Sequence, residues 1–359
     1  MIDPIEKIRF VELSEYNPEW QQVFADAAHE IKSILKENCI EIYHIGSTAI
    51  PNIYAKPIVD MLPVVRDMGL VDSLNHEFEK LGYVCMGEYG NPGRRFCWKS
   101  KTKRTHNIHL FEHGSPEIKR HLLFRDFMIA HEDYAKAYSL LKQSLAKVFS
   151  QDIENYVDGK RSFVQRINYK TGSAKIDQLN AKDNIIIEPY NANWPKLAEA
   201  EINTIKAVSN QLPYVSIEHL GSTAVQGLAS KPIIDIFIAI KSIEEAHQWI
   251  KPLETLAYVF WDKNPDRSHL RFFKGMPPFG EKRTHHVHIV ESGNSTIEHR
   301  ILFKDILRRD QKILFEYEAL KFKLSKTYLT DRELYTDKKG EFITKVLREW
   351  LFKTNISLN

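Results

Sequence analysis

The sequence predicts a mixed α/β protein made of two tandem copies of one fold, and three observations carry that reading. His44-Ile45-Gly46-Ser47-Thr48-Ala49 followed by Lys56-Pro57-Ile58-Val59-Asp60 returns as His219-Leu220-Gly221-Ser222-Thr223-Ala224 followed by Lys231-Pro232-Ile233-Ile234-Asp235. The repetition covers nearly the whole chain: Tyr16-Asn17-Pro18-Glu19-Trp20 returns as Tyr190-Asn191-Ala192-Asn193-Trp194, and Arg104-Thr105-His106-Asn107-Ile108-His109 as Arg283-Thr284-His285-His286-Val287-His288. The offset moves only from 174 through 175 to 179, so the copies are domains, solenoid repeats being far shorter. Within each copy, apolar runs of strand length alternate with segments of helical spacing.

In order, residues 20–35 and 194–208 show apolar residues at helical spacing, so a helix leads each copy. Residues 39–45 and 214–220 are β-branched or aromatic runs that end at the Gly-Ser turn, and they read as first strands. Residues 58–65 and 233–240 are nearly continuous apolar runs, the pattern of a strand covered on both faces. The Asp inside each such run has to lie at the strand's exposed end or face a cation, because an unpaired buried carboxylate costs several kcal/mol. A helix over 70–81 and 242–256 follows, then strands at 95–99 and 270–274 and the histidine-bearing segments around a basic turn. Long helical patterns at 117–149 and 296–328 and a closing helix at 157–167 or 338–351 complete each copy. The polar stretch 171–183, which opens on Thr171-Gly172-Ser173, reads as a linker between domains 1–170 and 184–359.

Composition narrows the function. The chain has 359 residues, 43% of them hydrophobic and 27% charged, as in a folded soluble protein with real cores. A net charge of +3 gives no reason to expect a nucleic-acid partner or a membrane surface, so any electrostatic argument is local. Cys39, Cys85 and Cys97 are odd in number and form no C-x-x-C, which fits free thiols in a reducing compartment. No apolar run reaches the roughly 18 residues of a membrane span, and a cytoplasmic location is expected.

Each copy reads as a strand end, a Gly-Ser turn whose backbone N–H groups can face a phosphate, and a second strand carrying one Asp. With K-P-h-h-D after the turn, then R-T-H-x-h-H and a downstream helix carrying Phe124-Arg125-Asp126 or Phe303-Lys304-Asp305, the chain resembles the GrpB family. That family is placed within the nucleotidyltransferase fold of the polymerase-beta superfamily. The resemblance spans nearly both halves and implies tandem nucleotidyltransferase-like domains, each a mixed sheet packed by helices with a helical tail. It further implies a nucleoside triphosphate as ligand and a divalent metal, Mg or Mn, held by an h-D-h-[DE] strand and a third carboxylate. In-line transfer needs such ions to neutralise the triphosphate and activate the attacking hydroxyl.

The sequence departs from that pattern. Two residues after Asp60 stands Leu62, and after Asp235 stands Phe237, so neither copy has the second carboxylate. Histidines stand where carboxylates would: Asn107 and His109 share one face of a strand, as do His286 and His288, while His106 and His285 point the other way. Together with His44 or His219 and Asp60 or Asp235, they would make a His/Asp set better suited to a transition metal such as Zn than to Mg. Mutual hydrogen bonding of these histidines is the plain alternative, and contact with a substrate phosphate is another. The metal candidates are therefore Asp60, Asp235, His44, His219, His109, His286 and His288, and the catalytic candidates are Asp60, Asp235, His109 and His288.

Gly46, Ser47, Thr48 and Lys56, with Gly221, Ser222, Thr223 and Lys231, are the phosphate candidates, although capping by Ser and a Lys–Asp salt bridge would use the same residues. Arg94, Arg95, Lys99, Lys101, Lys103 and Arg104, echoed by Arg267, Arg271, Lys274, Lys282 and Arg283, form a basic hairpin that either covers an anion or is simply solvated. Asp126 and Asp305 read as ion-pairing residues.

Three functions follow: nucleotidyl transfer to a small-molecule or protein acceptor, a non-catalytic nucleotide-binding module with a degenerate metal site, or a His/Asp metal-dependent hydrolase. The second copy has the fuller histidine cluster and is expected to be the more capable site. Tandem fusion also permits a monomeric pseudo-dimer.

Overall fold

The computed structural model describes residues 10–100, 103–173, 184–264, 266–276 and 282–354. The chain divides into two units, Met1–Lys175 and Ile176–Asn359. In the first, Asn17 Oδ1 accepts from Glu19 N at 2.9 Å and so caps α1 (Glu19–Leu35). Then come β1 (Cys39–Ile45), a 3-10 turn (Ser47–Ala49) and β2 (Val59–Val65). The segment expected as one helix over 70–81 is two, α2 (Met68–Ser73) and α3 (Asn75–Lys80), separated at Leu74. Asp67 caps α2 through Gly69 N and Leu70 N.

β3 (Tyr83–Cys85), β4 (Arg94–Ser100) and β5 (Arg104–Glu112) complete a sheet of order β1-β2-β5-β4-β3. β2 and β5 run parallel, and the other pairings are antiparallel. The long helical pattern divides at His131, whose extended backbone separates α4 (Pro116–Ala130) from α5 (Glu132–Val148). The closing helix is also double, α6 (Ile153–Gly159) and α7 (Arg161–Lys170).

The second unit repeats this with α8 (Trp194–Val208), β6 (Ser216–Leu220), a 3-10 turn (Ser222–Ala224) and β7 (Ile234–Ile240). A 3-10 helix (Ile243–Trp249) and α9 (Ile250–Thr255) replace the single helix expected over 242–256, with Pro252 early in α9, where its missing N–H removes no helical bond. β8 (Tyr258–Phe260), β9 (His269–Lys274) and β10 (His285–Glu291) complete the order β6-β7-β10-β9-β8. α10 (Ser295–Arg309) and α11 (Gln311–Thr327) part at Asp310, the counterpart of His131, and α12 (Arg332–Thr354) is continuous.

Sequence periodicity missed β3 and β8, three-residue edge strands that follow the positive-φ residues Gly82 and Ala257. Of the expected linker, Thr171, Gly172 and Ser173 fold back onto α7, Thr171 N and Ser173 Oγ donating to Ile167 and Asn168 carbonyls; residues 174–183 lie outside the described residues.

Each sheet is covered on both faces, as the apolar β2 and β7 runs require. In the first unit, Ile31, Met61, Phe78, Tyr83 and Ile108 join under α1 on one face, and Ile45, Leu62, Val64 and Phe111 pack with Ile118 and Leu122 of α4 on the other. A fully buried side chain of this size contributes about 1.5–3 kcal/mol. In the second unit the α8 face also encloses an ion pair: Lys274 Nζ and Glu201 Oε1 stand 2.8 Å apart with side chains 1% and 4% exposed. Burial alone would raise the Glu201 carboxyl; Lys274, His285 and the Tyr258 hydroxyl hold it below its usual range. The matching Lys99–Glu30 pair of the first unit is longer, 3.7 Å, and more exposed.

Lys274→Met should therefore destabilise the second unit by about 3–5 kcal/mol, because it strands a buried charge, and adding Glu201→Leu should recover most of the loss. Chemical denaturation of the single and double variants tests this. A single variant as stable as the parent would show that the pair carries no such energy.

Candidate functional site

The site begins where the first strand ends. Gly46 and Gly221 have φ of 73° and 79°, a region costly for any residue with a Cβ. A Cβ on Gly46 would stand 2.4 Å from Asp60 Oδ2, and one on Gly221 2.5 Å from Asp235 Oδ2. The Gly-Ser turn thus rests directly on the strand carboxylate in both units. The contact follows from register, since Ile45 pairs with Asp60 and Leu220 with Asp235 across antiparallel strands.

That register also settles the histidines before the turn. His44 pairs with Met61 and His219 with Ile236, so both rings lie on the face opposite the Asp. His44 stacks on Phe24 at 4.8 Å, and its Nε2 meets Thr48 Oγ1 at 3.0 Å; His219 Nε2 meets Thr223 Oγ1 at 2.9 Å. Both threonines donate to a strand carbonyl, Ile58 and Ile233, so the histidine is the donor to the hydroxyl. Burial lowers both rings to about 4, keeping them neutral. His44 and His219, expected as metal ligands, and Thr48 and Thr223, expected on phosphate, instead tie the turn to the start of the second strand.

The parallel pairing sets Asn107 beside Asp60 and His286 beside Asp235. Asn107 Nδ2 donates to Asp60 Oδ1 at 2.8 Å, and His109 Nε2 lies 3.4 Å from the same oxygen. In the second unit His286 Nδ1 lies 3.0 Å from Asp235 Oδ1, and His288 Nε2 3.7 Å. Burial would raise both carboxyls; these ring and amide neighbours, with Lys56 in the first unit, hold Asp60 below the usual range and Asp235 well below it. Burial keeps His288 neutral at about 4.

The helical tail supplies the opposite wall. Lys56 lies 5.8 Å and Lys160 4.5 Å from the Tyr156 ring centroid, and Lys142 lies 4.8 Å from that of Tyr138, whose hydroxyl bonds to Ser47. The second unit repeats the set: Lys231 and Lys339 over Tyr335, and Lys321 over Tyr317. Lys142 and Lys321 are buried and donate to the carbonyls of Tyr54 and Ala229 in the loop before the Asp strand. Burial first, then neighbouring cations, lowers Lys160, Lys231 and Lys321 to about 7 and Lys142 well below its usual range. These cations crowd one another beside a single carboxylate, an arrangement that an incoming anion relieves.

The basic hairpin divides between the two sheet faces. Arg95 is bidentate on Asp72, Lys99 reaches Glu30 and Lys103 reaches Glu12, all away from the Asp. Arg94 Nη1 reaches His109 Nδ1 at 3.4 Å, and Arg104 stacks over Trp98. In the second unit Lys274 is consumed by Glu201, Arg267 donates to the Asp262 carbonyl, Arg271 to His269 and Arg283 stacks on Phe273; Lys282 is exposed. Lys101 lies outside the described residues. Asp126 pairs with Arg125, and Asp305 lies 4.0 Å from Arg308, both on outer helix surfaces.

The profile of the family described as GrpB protein matches residues 10–170 and 184–349. The chain belongs to the GrpB family. The UPF0157 protein YqkA of Bacillus subtilis is 39% identical to it over 178 residues, 50% of this chain and 52% of that protein, so the match spans about half the relative's length. The crystal structure of the conserved protein GrpB from Enterococcus faecalis is 41% identical, with a TM-score of 0.43 over 45% of this chain and 96% of that one. Cid1 in complex with the UTP analogue UMPNPP aligns at 8% identity and a TM-score of 0.31, over 58% of this chain and 72% of that one.

Within this GrpB chain, sequence reasoning missed Tyr138, Lys142, Tyr156 and Lys160 with their counterparts Tyr317, Lys321, Tyr335 and Lys339. Each pair repeats at an offset of 179, so comparing the two copies residue by residue would have found them. The divalent ion expected on carboxylates finds one carboxylate per unit. Asp60, Asn107 and His109 do not suit that ion, whereas Asp235, His286 and His288 offer the donor set of a transition metal.

Gly46→Ala or Gly221→Ala should cost roughly 1–3 kcal/mol of backbone strain and displace the Asp carboxylate as well. Denaturation curves of each variant check the first effect. A neutral Gly46→Ala would mean that the turn can retreat from Asp60.

Proposed function

We propose that each unit binds the phosphates of a nucleoside triphosphate between its Gly-Ser turn and the lysines of its helical tail, and that the protein is nucleotidyltransferase-like. The carrying observation is the duplicated set itself: a positive-φ glycine against a strand Asp, faced by Lys56, Lys142 and Lys160 in one unit and Lys231, Lys321 and Lys339 in the other. Backbone N–H groups at a turn with several lysines suit a polyphosphate, and the crowded amines gain from one. In this reading Asp60 or Asp235 stands at the α-phosphate, a small-molecule or protein hydroxyl bonds to its phosphorus as the α–β phosphoanhydride bond breaks, and Lys56 and Lys160 or Lys231 and Lys339 hold the charge of the departing pyrophosphate.

A second reading has its own observation. In the first unit Asn107 and His109 both turn N–H groups onto Asp60, and Arg94 occupies the far nitrogen of His109, so this carboxylate is satisfied within the protein. The first unit therefore supports nucleotide binding without transfer better than the second does.

Calorimetric titration with ATP and with inorganic tripolyphosphate tests the proposal. Lys160→Met combined with Lys339→Met should weaken tripolyphosphate binding at least about tenfold, or about 1.4 kcal/mol. No binding at millimolar concentration, or equal binding by the double variant, would overturn it.

The lysines also set a pH dependence. Lys160, Lys231 and Lys321 stand near 7 in the fold against an ordinary 10.5, so between those values the folded chain carries fewer protons than the unfolded one. The chain without anion should then gain stability as pH rises through that window. An anion binds the protonated amines, so tripolyphosphate affinity should fall over the same rise. Melting curves and titrations at pH 6.5 and 9 check the two opposite slopes.

A further inference from the structure

We propose that the second unit, and not the first, holds a divalent first-row transition metal on Asp235, His286 and His288. This concerns the same pocket as the phosphate reading but stands on donor geometry. One nitrogen of each ring and a carboxylate oxygen of Asp235 lie within 4.8 Å of one another. Asp235 Oδ1 stands 3.0 Å from His286 Nδ1 and 3.7 Å from His288 Nε2. Donors about 2.0–2.2 Å from a shared ion lie roughly 3.0–3.6 Å apart, so the spacing is close to that of a coordination shell. Two imidazoles and one carboxylate suit Zn²⁺, Fe²⁺ or Co²⁺, whereas Mg²⁺ prefers an all-oxygen shell.

Two further observations describe the rings around that donor set. With His286 Nδ1 donating to Asp235, its Nε2 carries a lone pair, and that atom is buried with no hydrogen-bond partner among the described residues. Behind the site, His288 Nδ1 meets His269 Nε2 at 2.8 Å, and His269 Nδ1 lies 3.7 Å from Asp266 Oδ2. An imidazole behind an imidazole is outer support of the kind a metal-bound histidine uses, with Asp266 beyond hydrogen-bond distance of His269 Nδ1. Arg271 Nε lies 3.3 Å from the same His269 nitrogen and competes for it.

The first unit offers a different donor set. Asn107 replaces His286, and Arg94 at His109 Nδ1 replaces His269, so His109 keeps its proton on the nitrogen that faces Asp60.

Metal alone, without nucleotide, is the probe, so that failure of the phosphate reading leaves this result standing. The full-length chain is stripped with EDTA, reloaded with Zn²⁺ or Co²⁺, desalted and measured by elemental analysis and by the visible absorption of Co²⁺. About one equivalent per chain is expected, together with Co²⁺ bands of a nitrogen- and oxygen-ligated ion. His286→Asn, which installs the first unit's amide, should abolish retention with an unchanged circular dichroism spectrum, and Asp60→Asn should leave it at one equivalent. His269→Phe should weaken affinity about 10–100-fold. Failure to retain metal, equal retention by His286→Asn, or loss caused by Asp60→Asn would each overturn the proposal.

Discussion

The contact between a glycine backbone and a strand carboxylate organises each unit. Asp60 and Asp235 are the second residues of β2 and β7, where the strand has only just become covered, and the turn after β1 or β6 lies against them with no room for a Cβ. Antiparallel pairing of the first two strands brings the turn there, and parallel pairing with β5 or β10 brings Asn107 or His286 to the same level. The carboxylate is desolvated by this packing, so every element that reaches it supplies an N–H or a cation. On the far face the His44–Thr48–Ile58 tie, and its copy His219–Thr223–Ile233, holds the turn in place without entering the site.

The helical tails meet the same demand from the other side. A lysine as deeply buried as Lys142 or Lys321 persists because its amine donates to a loop carbonyl, and that carbonyl belongs to the segment leading into the Asp strand. The same loop is held a second time: Tyr54 N donates to Ser139 Oγ, and Ala229 N to Glu318 Oε1. The tail therefore fixes where Lys56 and Lys231 stand while it brings Lys160 and Lys339 to them. Lysines that hold the loop and lysines that face the Asp sit on one helical scaffold, which is why removing helix contacts and removing charge are separable experiments.

Much of this was legible in the sequence. The tandem repeat, the first two strands, the leading helix and the shared face of His286 and His288 follow from period and offset, because strand alternation and duplicated spacing are local properties. Helix breaks were not legible. His131 and Asp310 interrupt patterns that stay amphipathic across them, and periodicity does not register one extended residue. The histidines before the turn were misplaced for a different reason: proximity in sequence to the Gly-Ser turn says nothing of the sheet face, which only the pairing of Ile45 with Asp60 decides. The tail lysines and tyrosines lie some 80 to 110 residues from the Asp, and their meeting is a tertiary fact.

Differences between the two units carry information that their likeness does not. The glycine, the Asp, three lysines and two tyrosines are the same in both, so the lysine-lined half of the pocket is a common inheritance. Around the other half the units differ at Asn107 against His286, and at Arg94 against His269. His121 contacts the first site at a ring distance of 5.8 Å from His109, while Arg300 at the matching offset stands over Phe237. These changes alter together what surrounds one carboxylate, from an amide and one imidazole in the first unit to two imidazoles in the second. On the proposed phosphate and metal readings, the two pockets would share one way of holding an anion and differ in what they offer a metal, one holding its ligand and the other able to act on it.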